Sequence, residues 1–176
     1  SPYAMAKLTA IEFGNAMQTQ YGHNVINLMP TNLYGPYDSF SAEYSHVIPG
    51  LMFRMHIAKI EKMENFNIWG SGKPLREFLY VNDLANAIKF VVENNINDSL
   101  LNIGSGDEVS IKSVAESIKT VVGFEGELSF DKSKPDGNPR KLLDSSKILN
   151  YGWIPDVELN DGLKKTYRWF LDNQDI

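Results

Sequence analysis

Strand-like and helix-like segments alternate along this chain, and the order opens on a helix with no strand before it. That opening constrains the fold most. Parallel strands need a crossover of a dozen or more residues between them, so a crossover helix at the very start implies a βαβ unit cut through its middle. Pro2 to Gln20 reads as that helix: Pro2 is tolerated in a first turn, Ala4, Leu8, Ile11 and Ala16 form an apolar stripe, and Gly22 supplies a stop. His23 to Met29 (HNVINLM) is rich in strand formers and ends at Pro30. It feeds a loop over Thr31 to Ser45 that is dense in Gly, Pro, Asn, Asp and Ser. A loop of that length inside a compact chain is usually functional or mobile. Helical spacing resumes over Val47 to Lys62, with Pro49 in the first turn.

Phe66 to Trp69 and Arg76 to Val81 read as short strands on either side of a Gly70 to Pro74 turn, which suggests a hairpin or a crossing loop. Asn82 or Asp83 is placed to cap the next helix, in which Leu84, Ala87, Ile88 and Val91 share one face. Leu100 to Ile103 reads as a buried strand. Ser110 then opens an amphipathic helix, with Ile111, Val114, Ile118 and Val122 in register and Gly123 as its stop. Leu128 to Phe130, a polar loop over Asp131 to Arg140, and a C-terminal helix marked by Leu159, Leu163, Tyr167 and Phe170 complete the order. No internal repeat and no Pro/Gly/Ser linker divides it. The expected fold class is α/β, and the cut unit leads us to expect the C-terminal half of a longer protein.

Composition narrows the function. The 176 residues are 43% hydrophobic and 22% charged, enough for a sizeable core. A net charge of -5 leaves no global basic field, so neither nucleic acid nor a membrane is expected as a partner. Any anionic ligand must be met by local cations. The absence of cysteine excludes disulfides, thiolate metal sites and a cysteine nucleophile within these residues, and no metal site is expected. No apolar run approaches the roughly 18 residues of a membrane span, and no basic-then-apolar leader is read at the first residues, so a cytoplasmic location is expected.

Tyr3 and Lys7 lie one helical turn apart and share a face. A free phenol, with a pKa of about 10, is too weak an acid for proton transfer at neutral pH. A fixed positive charge beside it stabilises the phenolate and makes the phenol a better donor to a carbonyl oxygen becoming an alkoxide.

With that pair stand YAMAK, MPTNLYGP at Met29 to Pro36, SHVIPGL at Ser45 to Leu51, WGSGKPLREFLYVND at Trp69 to Asp83, KPDGNPRKLLD at Lys134 to Asp144, and YRWFLDNQ at Tyr167 to Gln174. In order and spacing these segments resemble the GDP-L-fucose synthase family, the 3,5-epimerase-4-reductases among the extended short-chain dehydrogenases/reductases. The resemblance runs nearly end to end. R-E-F-x-x-V-x-D and the YGP loop are shared by many nucleotide-sugar epimerases and dehydratases, whereas SHVIP and KPDG-x-PRKLLD are more particular.

The resemblance implies a fold and a set of roles. The fold would be the last part of a Rossmann domain (residues 1–32 and 76–103) with most of a smaller nucleotide-sugar-binding lobe (33–75 and 104–176). Tyr3 would be the general acid for reduction of a 4-keto group, and Lys7 would hold the nicotinamide ribose. The hydride would come from NADP(H), with Pro30, Thr31, Asn32 and Leu33 along its nicotinamide side. His46 would move protons in the two epimerisations and would also touch the cofactor. An imidazole suits that task because its ordinary pKa lies near working pH; His46 also stands at a helix start, where capping is a second possible role. Arg54 and Arg76 would meet the diphosphate of a GDP-4-keto-6-deoxy-sugar, Trp69 the nucleotide sugar, and Asp136 and Lys141 the far end, where a carboxylate is able to accept from guanine. A homodimer through the Tyr3 helix, with Phe13 and Met17 on its outer face, is expected of the full-length form.

The chain departs from the complete family pattern. The Gly-rich strand-turn-helix that seats a dinucleotide pyrophosphate, a catalytic serine and an epimerisation cysteine are not in these residues, so the chain alone is expected to be inactive. Two rival readings stand beside the first: another nucleotide-sugar epimerase, dehydratase or reductase of the same superfamily, and a non-catalytic nucleotide-sugar-binding module.

Overall fold

The computed structural model describes residues 1–173; Gln174, which closes the last resembling segment, lies outside them, as does the end of the expected lobe. Helix α1 (Pro2–Tyr21) begins with the Ser1 hydroxyl accepting from the Ala4 N–H at 3.4 Å and ends at Gly22, whose φ of 68° only glycine adopts without cost. Its expected apolar stripe is not covered by this chain. Ala4, Leu8 and Ala16 are exposed, Ile11 is half-buried, and only Gly14 is buried, so close to Val25 that a Cβ there would come within 2.8 Å of its side chain.

Strand β1 (Asn27–Pro30) starts four residues later than the sequence suggests and pairs in parallel with β5 (Leu100–Ile103). The chain turns at Thr31 and forms β2 (Asn32–Tyr34) inside what reads as loop. This short strand pairs in parallel with β4 (Leu75–Tyr80), which also takes β6 (Glu108–Ser110) antiparallel and β8 (Arg140–Lys141) parallel. Helix α2 (Val47–Ile60) leads into β3 (Asn65–Trp69). β3 pairs not with β4 but, in parallel, with β7 (Glu127–Asp131), so the segment after Trp69 is a crossing loop and not a hairpin.

Helix α3 (Val81–Glu93) follows β4 directly. Its N-cap is Tyr80, and neither Asn82 nor Asp83 caps it; Asp83 is buried and accepts from the N–H groups of Asp156 and Val157, both at 3.2 Å. Ala87 and Val91 are buried as expected, whereas Ile88 is exposed. Helix α4 (Ile111–Val122) follows its sequence signals: Ser110 accepts from the Ser113 N–H at 3.0 Å, and Gly123 stops the helix at φ 72°. A short α5 (Ser146–Asn150) and a longer α6 (Leu159–Asp172) close the described chain.

Two apolar cores result. One lies where α2, α4 and α6 cover β3, and contains Met52, Met55, Ile118, Leu163 and Phe170. The other joins β4, β5, α3 and α5 through Leu79, Val91, Leu101, Ile103 and Ile148. Burying each such side chain contributes about 1.5–3 kcal/mol, so these layers fix where α2 and β4 stand. Between the cores sits Glu77, fully buried, whose carboxyl accepts from the N–H groups of Gly106 at 2.8 Å and Leu143 at 3.2 Å. The two acids of R-E-F-x-x-V-x-D thus hold loops: Glu77 grips those before β6 and after β8, and Asp83 the one before α6. Among the described residues, no helix is long and apolar enough to cross a membrane.

Candidate active site

The loop from Gly35 to Ser45 carries the chain from the end of β2 to the start of α2. Gly35 has φ 145°, and a Cβ there would come within 2.6 Å of Val81, so the turn away from β2 needs glycine. Phe40 stacks on Phe170 at 4.9 Å between ring centroids, and the Tyr37 ring lies 5.1 Å from that of Trp169, which ties the loop to α6. His46 then stands at the N-cap of α2 with extended backbone (φ -64°, ψ 171°), exposed, its side chain making no capping hydrogen bond. Capping by the imidazole, the second role open to it, is therefore not its role here.

From His46 a depression of about 530 Å³ extends between the first turns of α2, the end of β3 and the start of β4. Its lining includes His46, Arg54, Trp69, Arg76 and Asp136, residues spread over ninety positions of sequence and brought together by the crossing loop and the β3–β7 pairing. Arg54 is half-buried; its Nε donates to the Gly50 carbonyl at 3.3 Å, its guanidinium carbon lies 5.3 Å from the Phe66 ring centroid, and burial pushes its pKa below the ordinary guanidinium value. Arg76 donates through Nη1 to its neighbour's carbonyl, that of Leu75, at 2.7 Å. The indole of Trp69 is 69% exposed, with the Lys134 ammonium 5.9 Å from its ring centroid.

The Asp136 carboxylate accepts from the Ser71 N–H at 2.5 Å on one oxygen and from the Ser71 hydroxyl at 2.7 Å on the other. These bonds, the backbone one first, hold its pKa below the usual carboxylate value. They also clamp the Gly70 turn to the 131–140 loop, and a guanine edge would have to share both oxygens with Ser71.

The other expected residues lie elsewhere. Tyr3 and Lys7 are on α1, outside the lining of the depression, with Tyr3 74% exposed and the Lys7 ammonium 5.4 Å from the phenol ring centroid. Pro30 is exposed at the carboxyl end of β1, and Leu33 is half-buried. The Thr31 hydroxyl and the Asn32 amide both donate to the Glu77 carbonyl, at 3.3 and 2.7 Å. Lys141 is not at the depression either: its ammonium donates to the Asn32 side-chain oxygen at 3.5 Å. The expected residues therefore fall into three groups: the α1 face, the depression, and the β1–β2 junction with Lys141. Sequence reasoning missed Ser71 and Lys134, which hold or flank the lining residues Asp136 and Trp69, and the loop-holding carboxyls of Glu77 and Asp83. Glu77 and Asp83 carried a signal, because acids inside otherwise apolar strand and helix segments must find donors.

Parallel strands joined by crossover helices, a Tyr-x-x-x-Lys pair on the leading helix and a cationic, aromatic depression between α2, the end of β3 and the start of β4 define a class, and this chain belongs to the NAD dependent epimerase/dehydratase family, whose model matches residues 1–104. Within it, the chain is 53% identical to GDP-L-fucose synthase 1 of Arabidopsis thaliana over 171 residues, 97% of this chain and 53% of that protein. It is 44% identical to GDP-L-fucose synthase of Escherichia coli K12 over 183 residues, 99% of this chain and 57% of that one. A crystal structure of a GDP-L-fucose synthetase from Naegleria fowleri bound to NADP superposes with a TM-score of 0.89 at 34% identity, covering 98% of this chain and 56% of that one. The chain spans about half the length of the curated relatives it matches.

Proposed function

We propose that this chain supplies the nucleotide-sugar site and the proton-transfer residues of an NADPH-dependent enzyme that converts GDP-4-keto-6-deoxy-D-mannose to GDP-L-fucose by 3,5-epimerisation and 4-keto reduction. One observation carries the reading most: the fold gathers an imidazole, two guanidiniums and an exposed indole around one depression. A diphosphate matches the two guanidiniums, and a purine or sugar face matches the indole. The names of the relatives support the choice of GDP-sugar.

The residues present fit the nicotinamide half of the cofactor. The phenol and ammonium of the α1 face suit a ribose and a carboxamide, and the exposed end of β1 at Pro30 offers a flat apolar edge beside the Asn32 amide. NADPH, when bound, supplies the hydride. His46 moves the proton on one face of the carbon beside the ketone, and the epimerisation cysteine that the resemblance expects outside these residues serves the opposite face. Tyr3 gives its proton to the 4-keto oxygen as it gains negative charge, with the Lys7 ammonium beside the ring stabilising the phenolate left behind. Arg54 and Arg76 hold the diphosphate and Trp69 the nucleotide sugar, with Asp136 at its margin, while Lys141 stands apart against Asn32. Residues 1–32 and 76–103 form the cofactor side, and 33–75 and 104–176 the sugar-nucleotide side; the two apolar cores follow that division in part, with Ile148 and Trp153 packing on the cofactor side and Tyr80 on the other. The exposed Phe13 on α1 supports packing of this helix against a second copy of the full-length protein.

The test is a division of labour in the full-length polypeptide. Tyr3→Phe abolishes reduction and leaves exchange of solvent deuterium at the epimerised carbons; His46→Gln blocks exchange and leaves NADP⁺-dependent oxidation of GDP-L-fucose. Loss of both activities in either variant, or of neither, contradicts the assignment.

A further inference from the structure

The imidazole of His46 makes no capping bond, and the backbone that carries it is held between the loop before it and the first turn of α2 after it. That loop closes on one side chain. The Ser45 hydroxyl donates to the Ser39 carbonyl at 2.5 Å and accepts from the Ser41 N–H at 2.5 Å, drawing residues 39–45 into a closed ring. The Ser41 hydroxyl, 3.4 Å from that of Ser45, accepts in turn from the Tyr44 N–H at 3.1 Å. On the other side, the first turn of α2 is packed against the same residue: a Cβ added at Gly50 would sit 3.3 Å from the Ser45 Cβ, and the Gly50 N–H donates to the His46 carbonyl at 2.9 Å. The ring is anchored by Phe40 on Phe170. One hydroxyl thus joins the loop leaving β2 to the residue that carries the imidazole.

We propose that Ser45 is a positioning residue for His46, fixing the direction of the imidazole toward the carbon that exchanges its proton. This rests on the reading of His46 as the proton-transfer group. Displacing a reacting group by about 1 Å costs on the order of 100-fold in rate, and a loop that loses its only double-sided hydroxyl clasp loosens on that scale.

The full-length polypeptide is tested in a Tyr3→Phe background, where exchange is isolated from reduction, by following solvent deuterium entering the GDP-4-keto-6-deoxy-sugar. Ser45→Ala lowers the maximal exchange rate about 10- to 100-fold with the half-saturating sugar concentration unchanged. Ser45→Thr, which keeps the hydroxyl, restores most of it. Ser39→Ala, which removes a side chain but not the accepting carbonyl, matches the parent. With Tyr3 intact, Ser45→Ala oxidises GDP-L-fucose with NADP⁺ at the parent's rate, which also shows that it is folded. Exchange unaffected in Ser45→Ala while His46→Gln abolishes it overturns this inference alone. Equal losses of exchange and oxidation, or a half-saturating concentration rising in step with the lost rate, overturn it as well. Exchange unaffected in His46→Gln overturns both this inference and the assignment beneath it.

Discussion

Glu77 ties two loops distant in sequence to β4, and replacing it with glutamine perturbs the framework at one buried point. The carboxyl offers acceptors on both oxygens, to Gly106 N–H and Leu143 N–H, in a site with no solvent access. An amide keeps one acceptor and turns the other position into a donor facing a donor. Leaving a buried N–H without an acceptor costs about 1–3 kcal/mol, and the new amide N–H₂ is itself unsatisfied, so the loss is about 2–4 kcal/mol. At roughly 2–4 °C per kcal/mol for a chain of this size, the melting temperature falls by about 5–15 °C. The assay is urea and thermal unfolding of the 176-residue chain followed by circular dichroism. Glu93→Gln, at an exposed i,i+4 pair with Lys89, serves as the control and changes little. The backbone of Gly104 makes the same point from the other side, since a Cβ there would approach Glu77 Oε1 to 2.2 Å and Gly104→Ala destabilises as well. A Glu77→Gln chain that loses less than about 0.5 kcal/mol refutes the claim that this carboxyl holds the two loops.

Two further predictions concern the larger core. His56 is buried beside Tyr167, with its Nδ1 3.0 Å from the phenol oxygen, and burial first, then Lys59, lowers its pKa below the ordinary 6.5. A base with a depressed folded pKa contributes stability that is fully present above pH 6.5 and is lost as pH falls through the folded value, so unfolding midpoints decline below about pH 6.5; His56→Phe flattens that decline, and an unchanged slope contradicts the linkage. Gly162 lies inside α6, where alanine would ordinarily stabilise by about 1 kcal/mol. Here a Cβ would meet the Tyr34 hydroxyl at 2.0 Å, so Gly162→Ala destabilises by about 1–3 kcal/mol in denaturant titration, and a gain refutes the tight approach.

What the sequence made legible was local. Ser110 and Gly123 bound α4 because a capping hydroxyl and a left-handed glycine act within one turn, and of the Leu159, Leu163, Tyr167, Phe170 stripe the last three are buried and Leu159 half-buried. The failures were long-range. β3 takes a partner some sixty residues away, and β8 has two residues and no periodicity to read. Asp83 looked like a cap because it begins a helix, but a loop seventy residues later supplies its donors. On α1, sequence spacing gave an apolar stripe, yet burial depends on what covers the helix, and this chain leaves most of it open. At the candidate site, His46, Arg54, Trp69, Arg76 and Asp136 were found by resemblance and do share a depression, whereas Lys141 turned to Asn32 because β8 lies along β4 at Leu75 and Arg76.

The central claim, that these residues serve epimerisation and reduction of one GDP-4-keto-6-deoxy-sugar, is tested most directly by the isotope content of the product. The full-length polypeptide, given GDP-4-keto-6-deoxy-D-mannose and NADPH in deuterium oxide, is predicted to yield GDP-L-fucose with solvent deuterium at both epimerised carbons and hydrogen from the cofactor at the reduced one. NADPH oxidation that gives a product without solvent deuterium, or turnover that consumes no NADPH, would contradict it.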